Sequence, residues 1–253
     1  MEEGTTPSGA SPQDINIPAA RSNRILEPIT LCIIKEDEPY GRPTLVSGWK
    51  NDIENQHHHG KCPEYLFIAY TAEQFSHSNA HDVAALHSLA TRATRDAGLT
   101  AYWVGLSCMQ PDNVEDDVFR ISDIVRGAHS MAVIIGPGTR DAQGQPSVKS
   151  MLQEWGGRLW TLPEALLIAS NKPISVYRRG YQGPLLIPKN QFAGMAWADS
   201  VTARDLIDHY EGNLTLSRLE LVTIAMQALF ARKRGEYLPV SSMHLLGSDV
   251  KLP

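Results

Sequence analysis

From residue 65 onward, short apolar runs alternate with amphipathic helical segments, and this alternation restricts the fold of the 253-residue chain more than any other feature. The runs are almost entirely apolar, as strands buried on both faces are. Short links between strand and helix require parallel strands joined by helical crossovers. We therefore predict a single α/β domain, with a mainly parallel sheet flanked by helices on both faces and with further helices towards the C-terminus. The predicted strands are 65–71, 100–106, 131–135 and 173–178.

Several helices can be placed from the spacing of apolar residues and from their end signals. The first runs from about residue 81 to 97 and stops at Gly98, because glycine commonly ends a helix in the left-handed conformation. An acidic run at 115–117 opens the second, where carboxylates complement the positive end of a helix. Two more helices are predicted near 201–211 and over 217–234.

The segments on either side of this alternating region differ from it in composition. Residues 1–23 are rich in Pro, Ser and Gly and hold few large apolar groups, so we expect a disordered tail. In the extension that follows, we expect an added strand at 29–35 and a loop over 36–63. The predicted organisation is a tail at 1–23, an N-terminal extension at 24–63, the α/β domain at 64–235 and a C-terminal tail at 236–253.

Composition argues against several classes of protein. The formal net charge is −5, and the basic run at 232–234 lies at a predicted helix end, so we expect no nucleic-acid partner. Cys32, Cys62 and Cys108 are an odd number without tight spacing, which favours free thiols in the cytoplasm. We find no signal-peptide pattern and no apolar run long enough to span a membrane, so no membrane partner is expected.

Motifs of well-known chemistry are absent or incomplete. The adjacent histidines at 57–59 cannot converge from one face of a helix or strand, so we predict a solvated loop and no metal site. The chain has neither a G-x-G-x-x-G motif nor a P-loop, which argues against a standard nucleotide cradle. It also lacks the G-x-S-x-G elbow, so a serine hydrolase is not favoured. Cys108 is predicted to be a loop or core thiol rather than a nucleophile.

Two helix starts carry the Thr/Ser-x-x-Glu pattern of a capping box, in which a hydroxyl and a glutamate each bond to the other residue's backbone. One pairs Thr161 with Glu164 and has Pro163 in its first turn, where the missing N–H costs nothing. The other pairs Ser217 with Glu220. Glu164 therefore has two open roles: it caps its own helix, or it faces a cleft and takes part in chemistry.

Polar residues follow the predicted strands at the place where open parallel sheets bind ligands, outside the carboxyl ends of the strands. We expect Tyr70, Ser107 and Glu164 to line one pocket there. A single carboxylate with indoles and hydroxyls suits cleavage of a glycosidic bond to a cationic leaving group, because that group departs without protonation. Nicotinamide leaving NAD⁺ is such a group. The four segments expected at this edge are Tyr70-Thr71, 107–110, 136–138 and the helix start at 160–164.

Four blocks between residues 64 and 180 resemble successive motifs of fungal heterokaryon-incompatibility (HET) domains. HET domains commonly show a Y-x-x-L-S-Y-x-W-G strand, a W-I-D-x-L-C-I-x-Q strand and loop, and an R-x-W-T-L-Q-E helix start. They in turn resemble divergent TIR (Toll/interleukin-receptor) domains, whose NAD-cleaving members carry their catalytic glutamate in a W-x-x-x-E helix. The matching blocks are Tyr65-Leu-Phe-Ile-Ala-Tyr-Thr71, Tyr102-Trp-Val-Gly-Leu-Ser-Cys-Met-Gln110, Arg126-Gly-Ala-His-Ser130 and Arg158-Leu-Trp-Thr-Leu-Pro-Glu164.

The resemblance implies a TIR- or flavodoxin-like sheet and assigns roles by position. Glu164 would be the catalytic carboxylate, and Tyr70, Thr71 and Ser107 would border the ligand. Trp160 would be a stacking wall for the substrate or a helix anchor, and a partly buried core tryptophan is an equal alternative. The resemblance also implies that NAD⁺ is a substrate rather than a resident cofactor, and that the protein associates with itself.

Three functions stay open at this stage. The first is a TIR/HET-like NAD⁺ glycohydrolase that releases nicotinamide and linear or cyclic ADP-ribose in self-recognition or cell-death signalling. The second is a non-catalytic signalling module of the same fold that acts by self-association. The third is a nucleoside or nucleotide N-glycosidase, because the same carboxylate chemistry would serve it. The environment of Glu164, open at the strand ends or sealed by its own helix cap, separates a catalytic from a capping role.

Overall fold

A seven-stranded mixed sheet forms the centre of the protein in a computed structural model, which describes residues 26–52, 61–109, 114–136, 147–168, 172–197 and 200–233. The strands are β1 (Thr30–Ile33), β2 (Arg42–Leu45), β3 (Tyr65–Ala69), β4 (Ala101–Val104), β5 (Ser130–Ile135), β6 (Ile174–Arg178) and β7 (Leu185–Ile187), in the spatial order β2-β1-β4-β3-β5-β6-β7. The four central strands are parallel, whereas β1, β2 and β7 are antiparallel to their neighbours. The predicted α/β class and the parallel arrangement of the four predicted strands are thus confirmed, whereas the whole sheet is mixed, because three of its six strand pairings are antiparallel.

Nine helices accompany the sheet in the described ranges. Helix α2 packs on the central strands, α4 and α5 each pack on α6, and α7, α8 and α9 contact one another in succession. With this strand order, right-handed crossovers place α2 on one face and α4 to α6 on the other. The helices are α1 (Val46–Asn51), α2 (Ala80–Asp96), α3 (Gly105–Cys108), α4 (Val114–Gly127), α5 (Val148–Gly156), α6 (Thr161–Leu167), α7 (Lys189–Ala196), α8 (Ser200–Glu211) and α9 (Arg218–Lys233).

The central strands are buried on both faces, as their continuous apolar runs predict. Every residue of β3 and of β4 is buried. The two strands run side by side from Tyr65 opposite Ala101 to Ile68 opposite Val104. The rings of Phe67 and Trp103 stack across the pair, with centroids 5.2 Å apart. This register brings the carboxyl ends of β3 and β4 together at one edge of the sheet.

Most helix boundaries agree with the sequence prediction, and the stop at Gly98 is confirmed by its φ of +72°. The N-terminal extension is more ordered than predicted. The strand expected at 29–35 is present as β1, but the loop expected over 36–63 is wrong in part, because β2 and α1 lie within it. Three of the four β2 residues are exposed, so this strand has no apolar pattern in the sequence. It lies at the edge of the sheet, and an edge strand tolerates a proline such as Pro43.

The sequence prediction also misplaced elements around the second and third parallel strands. The strand predicted at 100–106 ends at Val104, and Gly105 begins the short helix α3 in place of a loop. Helix α5, strand β7 and helix α7 were not predicted. These three elements are at most nine residues long, too short for a clear period in the sequence.

Cys32, Cys62 and Cys108 are free thiols, as expected. Within the described ranges, no helix has both the length and the apolarity needed to cross a bilayer, and no group of three or more His, Cys, Asp or Glu residues is arranged to hold a metal ion. The predicted tails at 1–23 and 236–253 and the histidines at 57–59 lie outside the described residues.

Gly156 permits the close approach of α5 and α7. A Cβ added at Gly156 would lie 2.1 Å from the backbone oxygen of Ala196, whereas one added at the adjacent Gly157 would keep distances of at least 3.4 Å. Gly156→Ala should therefore lower the free energy of unfolding by roughly 1–3 kcal/mol, because backbone must move. Gly157→Ala should be neutral or stabilise by about 0.4–1 kcal/mol. Urea unfolding of both variants tests this packing, and equal effects would contradict it.

Candidate active site

Tyr70 lies directly after β3, at the carboxyl end of the sheet, and is half-buried. Its hydroxyl oxygen is 2.8 Å from Nε2 of His77. The backbone N–H of Leu106 lies close enough to oppose the rise in the pKa of Tyr70. Its carbonyl oxygen accepts a hydrogen bond from Nη1 of Arg158 at 3.3 Å. Burial raises the pKa of Tyr70, so its phenol stays neutral at physiological pH.

Glu164 lies near the start of α6, close enough to Tyr70 for its charge to contribute to the raised tyrosine pKa. Its side chain has no hydrogen-bond or ion-pair partner among the described residues. Burial raises the pKa of Glu164 to about 7, and the nearby positive charge of Arg158 opposes that rise. The carboxyl is therefore divided between its neutral and ionised forms near neutral pH.

The predicted capping box at the start of α6 is wrong. Trp160 occupies the N-cap position and makes no side-chain cap. The hydroxyl of Thr161 is buried and donates instead to the carbonyls of Gly156 and Arg158, at 3.2 and 2.9 Å. The backbone N–H of Glu164 donates to the carbonyl of Trp160 rather than to the Thr161 hydroxyl. The reciprocal arrangement is therefore not formed, and Glu164 is not held by its own helix cap.

The second predicted capping box is confirmed at the start of α9. The backbone N–H of Ser217 donates to Oε2 of Glu220 at 2.8 Å, and the backbone N–H of Glu220 donates to Oγ of Ser217 at 3.3 Å. The two boxes have the same sequence pattern but different surroundings. The serine at 217 is free of competing carbonyls, whereas Thr161 is packed under the end of α5.

Two other residues expected at the ligand border differ in accessibility. Trp160 is 49% exposed, so it is not a core tryptophan and its ring is free for stacking. Thr71 is fully buried, and its Oγ1 accepts a hydrogen bond from the backbone N–H of Gln74 at 3.3 Å. The side chain of Thr71 is therefore used in the turn after β3 and is not accessible to a ligand.

Ser107, in α3, is half-buried and faces α2. Its Oγ is 2.9 Å from Nε2 of His87, and Nδ1 of the same ring is 2.8 Å from the hydroxyl of Tyr102. Sequence reasoning placed Ser107 at the ligand border but missed His87. The available signal was a histidine inside the apolar face of a helix, next to Leu86, where an unpaired polar ring would be costly.

Gln74 fills the space between the carboxyl ends of β3 and β5. Its Oε1 accepts a hydrogen bond from the backbone N–H of Gly136 at 3.0 Å, and its Nε2 donates to the carbonyl of Met151 and to Glu154. A Cβ at Gly136 would lie 2.8 Å from the backbone oxygen of Gln74. A ligand at this end of the sheet would therefore lie beside Gln74 rather than between the two strands.

The structure places Tyr70 near Glu164, and it places Leu106, the neighbour of Ser107, against Tyr70. It turns the Ser107 hydroxyl towards His87 instead. Two cavities in the described residues lie elsewhere: one of about 550 Å³ beside α1 and one of about 220 Å³ between α6 and α8. A common pocket for Tyr70, Ser107 and Glu164 stays a prediction.

Comparisons of the chain with protein-family models, with curated proteins and with solved structures gave no match. The HET and TIR resemblance therefore rests on the motifs quoted above.

The raised pKa of Glu164 predicts a particular dependence of stability on pH. Between about pH 4.5 and 7 the folded chain holds a proton on Glu164 that the unfolded chain has lost, so stability falls as pH rises. The total loss is on the order of 3 kcal/mol. Glu164→Gln should remove this fall and be more stable than the wild type at pH 8.

Urea unfolding at several pH values between 4 and 8 measures the effect. Glu73→Gln is the matched control, because Glu73 is an exposed carboxylate at the same end of the sheet. It should leave the pH dependence unchanged. If the free energy of unfolding changes with pH in the same way for wild type and Glu164→Gln, the Glu164 carboxyl is well solvated and the prediction is wrong.

Proposed function

We propose that the chain is a TIR/HET-like NAD⁺ glycohydrolase that acts, after self-association, in self-recognition or cell-death signalling. The observation that carries the proposal is the Glu164 carboxyl, which is half-buried at the carboxyl end of the sheet and has no hydrogen-bond or ion-pair partner among the described residues. Burial also raises its pKa. A carboxylate in that situation costs stability, and such groups are concentrated at functional sites.

The proposed reaction needs few protein groups besides the Glu164 carboxylate. The bond between nicotinamide and ribose breaks, nicotinamide leaves as a neutral molecule, and positive charge develops at the ribose C1′. Ionised Glu164 stabilises that charge. Water then forms a bond to C1′ and loses a proton, which gives ADP-ribose. NAD⁺ is consumed as the substrate, and no resident cofactor is required.

Two neighbours of Glu164 suit this substrate. The half-buried guanidinium of Arg158 is a counter-charge for the diphosphate of NAD⁺, and it also favours the ionised form of Glu164. The exposed ring of Trp160, four residues before Glu164, offers a face for stacking on nicotinamide or adenine. The half-buried Tyr70 hydroxyl, paired with His77, can bind a ribose hydroxyl.

The strand order agrees with the fold that the resemblance implies. Numbered along the chain, the four parallel strands lie in the order second, first, third, fourth, as in flavodoxin-like sheets. In that fold class, ligands bind at the carboxyl ends of the strands. Glu164 and Tyr70 lie at that end, so the fold supports the proposed location of the substrate.

Nicotinamide release from NAD⁺ by concentrated protein tests the proposal. Glu164→Gln should slow release by about 10²–10³-fold, because it removes the charge that faces C1′. The matched variant Glu73→Gln should keep wild-type turnover. In the wild type, turnover should rise with pH through about 7, the pKa of Glu164, because the ionised form is the active one. Equal turnover by wild type and Glu164→Gln, both folded, would contradict the assignment.

A non-catalytic, self-associating module is the second candidate, and the surface of α9 favours it. Leu219, Val222 and Met226 share one side of this helix and are 77%, 60% and 44% exposed. The stretch 221–231 contains no charged residue, so two copies can meet there without like-charge repulsion. A two-fold contact places the same patch of each copy against the other. A second copy of this chain is the proposed occupant, and the same contact would serve an enzyme that acts after assembly.

Replacing apolar side chains on this face should weaken self-association. We expect Val222→Glu to raise the dissociation constant by at least roughly tenfold, about 1.4 kcal/mol, because two like charges would meet at the contact. Leu186→Glu is the control, since Leu186 is 63% exposed on β7, away from α9. Sedimentation equilibrium measures the change. A wild-type chain that stays monomeric at high concentration would contradict the contact, and association without NAD⁺ cleavage would favour the non-catalytic module.

A further inference from the structure

Three side chains form a hydrogen-bonded relay between α2 and the end of β4. Oγ of Ser107 lies 2.9 Å from Nε2 of His87, and Nδ1 of His87 lies 2.8 Å from the hydroxyl of Tyr102. A nucleophile within hydrogen-bond reach of a base, with a third group orienting that base, is the arrangement that activates serine in acyl transfer. The relay includes neither Glu164 nor Tyr70.

The backbone presents Ser107 at a tight strand-to-helix turn. β4 ends at Val104, α3 begins at Gly105, and Ser107 follows two residues later. This is the first half of the nucleophile-elbow pattern, in which a serine projects from such a turn. Met109 occupies the position of the second glycine, which is why the motif is missing from the sequence although the turn is present. Ser107 is half-buried, so part of the residue is in contact with solvent.

The role of a base requires one of the two neutral tautomers of His87. With its proton on Nδ1, the ring donates to the hydroxyl oxygen of Tyr102, whose own proton then points towards the carbonyl of Gly41 at 3.5 Å. The lone pair of Nε2 then faces Ser107. That is the tautomer a general base needs. Gly41 is required here, because a Cβ at this position would lie 2.7 Å from the Tyr102 ring.

The surroundings of His87 are aromatic and uncharged. The ring of Tyr40, which is 40% exposed, lies 6.4 Å from the His87 ring. Burial alone lowers the pKa of His87, since no charged side chain among the described residues perturbs it. The imidazole is therefore mainly neutral at pH 7, and one ring nitrogen has a lone pair that can accept a proton. Such surroundings suit a neutral acyl substrate rather than a phosphate or a carboxylate.

We propose that Ser107 and His87 are the nucleophile and the general base of a second site, one that hydrolyses small, uncharged carboxylic esters by acyl transfer. Oγ of Ser107 forms a bond to the ester carbonyl carbon while its proton passes to Nε2 of His87. The carbon–oxygen bond to the leaving alcohol breaks, and the alcohol takes that proton. Water, deprotonated by His87, then attacks the acyl–serine ester, which releases the carboxylic acid and restores Ser107.

Hydrolysis of p-nitrophenyl acetate and covalent labelling by a fluorophosphonate test this site. In the labelling reaction the Ser107 oxygen displaces fluoride from phosphorus, and peptide mass spectrometry locates the adduct. We expect an adduct on Ser107 in the wild type. Ser107→Ala should reduce ester hydrolysis to background and abolish the adduct, whereas Ser78→Ala, at an exposed serine on the same end of the sheet, should change neither.

A base variant separates catalysis from packing. His87→Gln keeps hydrogen-bonding groups at the site but cannot take a proton, so labelling should slow by about 10²–10⁴-fold while the melting temperature stays close to that of the wild type. Tyr102 acts through His87 as a positioning residue, and Tyr102→Phe should shift the pH midpoint of labelling. Folded wild-type protein without an adduct on Ser107, or with ester hydrolysis equal to that of Ser107→Ala, would overturn the proposal.

Discussion

The parallel pairing of β3 with β4 determines where the groups of both candidate sites lie. The register that sets Ile68 opposite Val104 brings the residues after the two strands, Tyr70 and Leu106, into contact. Because every residue of both strands is buried, this register is fixed by how their side chains pack, as in the stacked rings of Phe67 and Trp103. A slip of one residue would place these two rings on opposite faces of the sheet and move Tyr70 away from Leu106. The site geometry is therefore a consequence of how the core packs.

Much of the fold could be predicted from the sequence because the central strands carry a strong signal. Continuous apolar runs bounded by polar loops identified β3, β4, β5 and β6, and their alternation with helices implied parallel pairing. Four other elements gave no such signal. β2 is mostly exposed, and α5, β7 and α7 are short, so their formation depends on neighbours distant in sequence. The alternation of strands and helices along the chain also does not predict the order of the strands in the sheet.

The candidate sites were predictable in part. The position of Tyr70 and Glu164 followed from the rule that strand ends meet at one edge, but the side-chain partners did not. Thr161 satisfies the capping-box pattern, yet its hydroxyl bonds to carbonyls of the preceding turn. His87 lies twenty residues before Ser107, and their hydrogen bond depends on how α2 crosses β4. Tertiary contacts of this kind override local patterns because a buried polar group bonds to whichever partner is nearest.

The central claim is that the Glu164 carboxyl is a desolvated acid poised for a cationic ligand. Carbon-13 NMR titration of the Glu164 side chain, with and without a carbocyclic NAD⁺ analogue that cannot be hydrolysed, measures this directly. We expect a midpoint near 7 in the free protein, and a lower midpoint in the complex because the nicotinamide cation favours the ionised form. A midpoint near 4.5 that the analogue does not move would contradict the account.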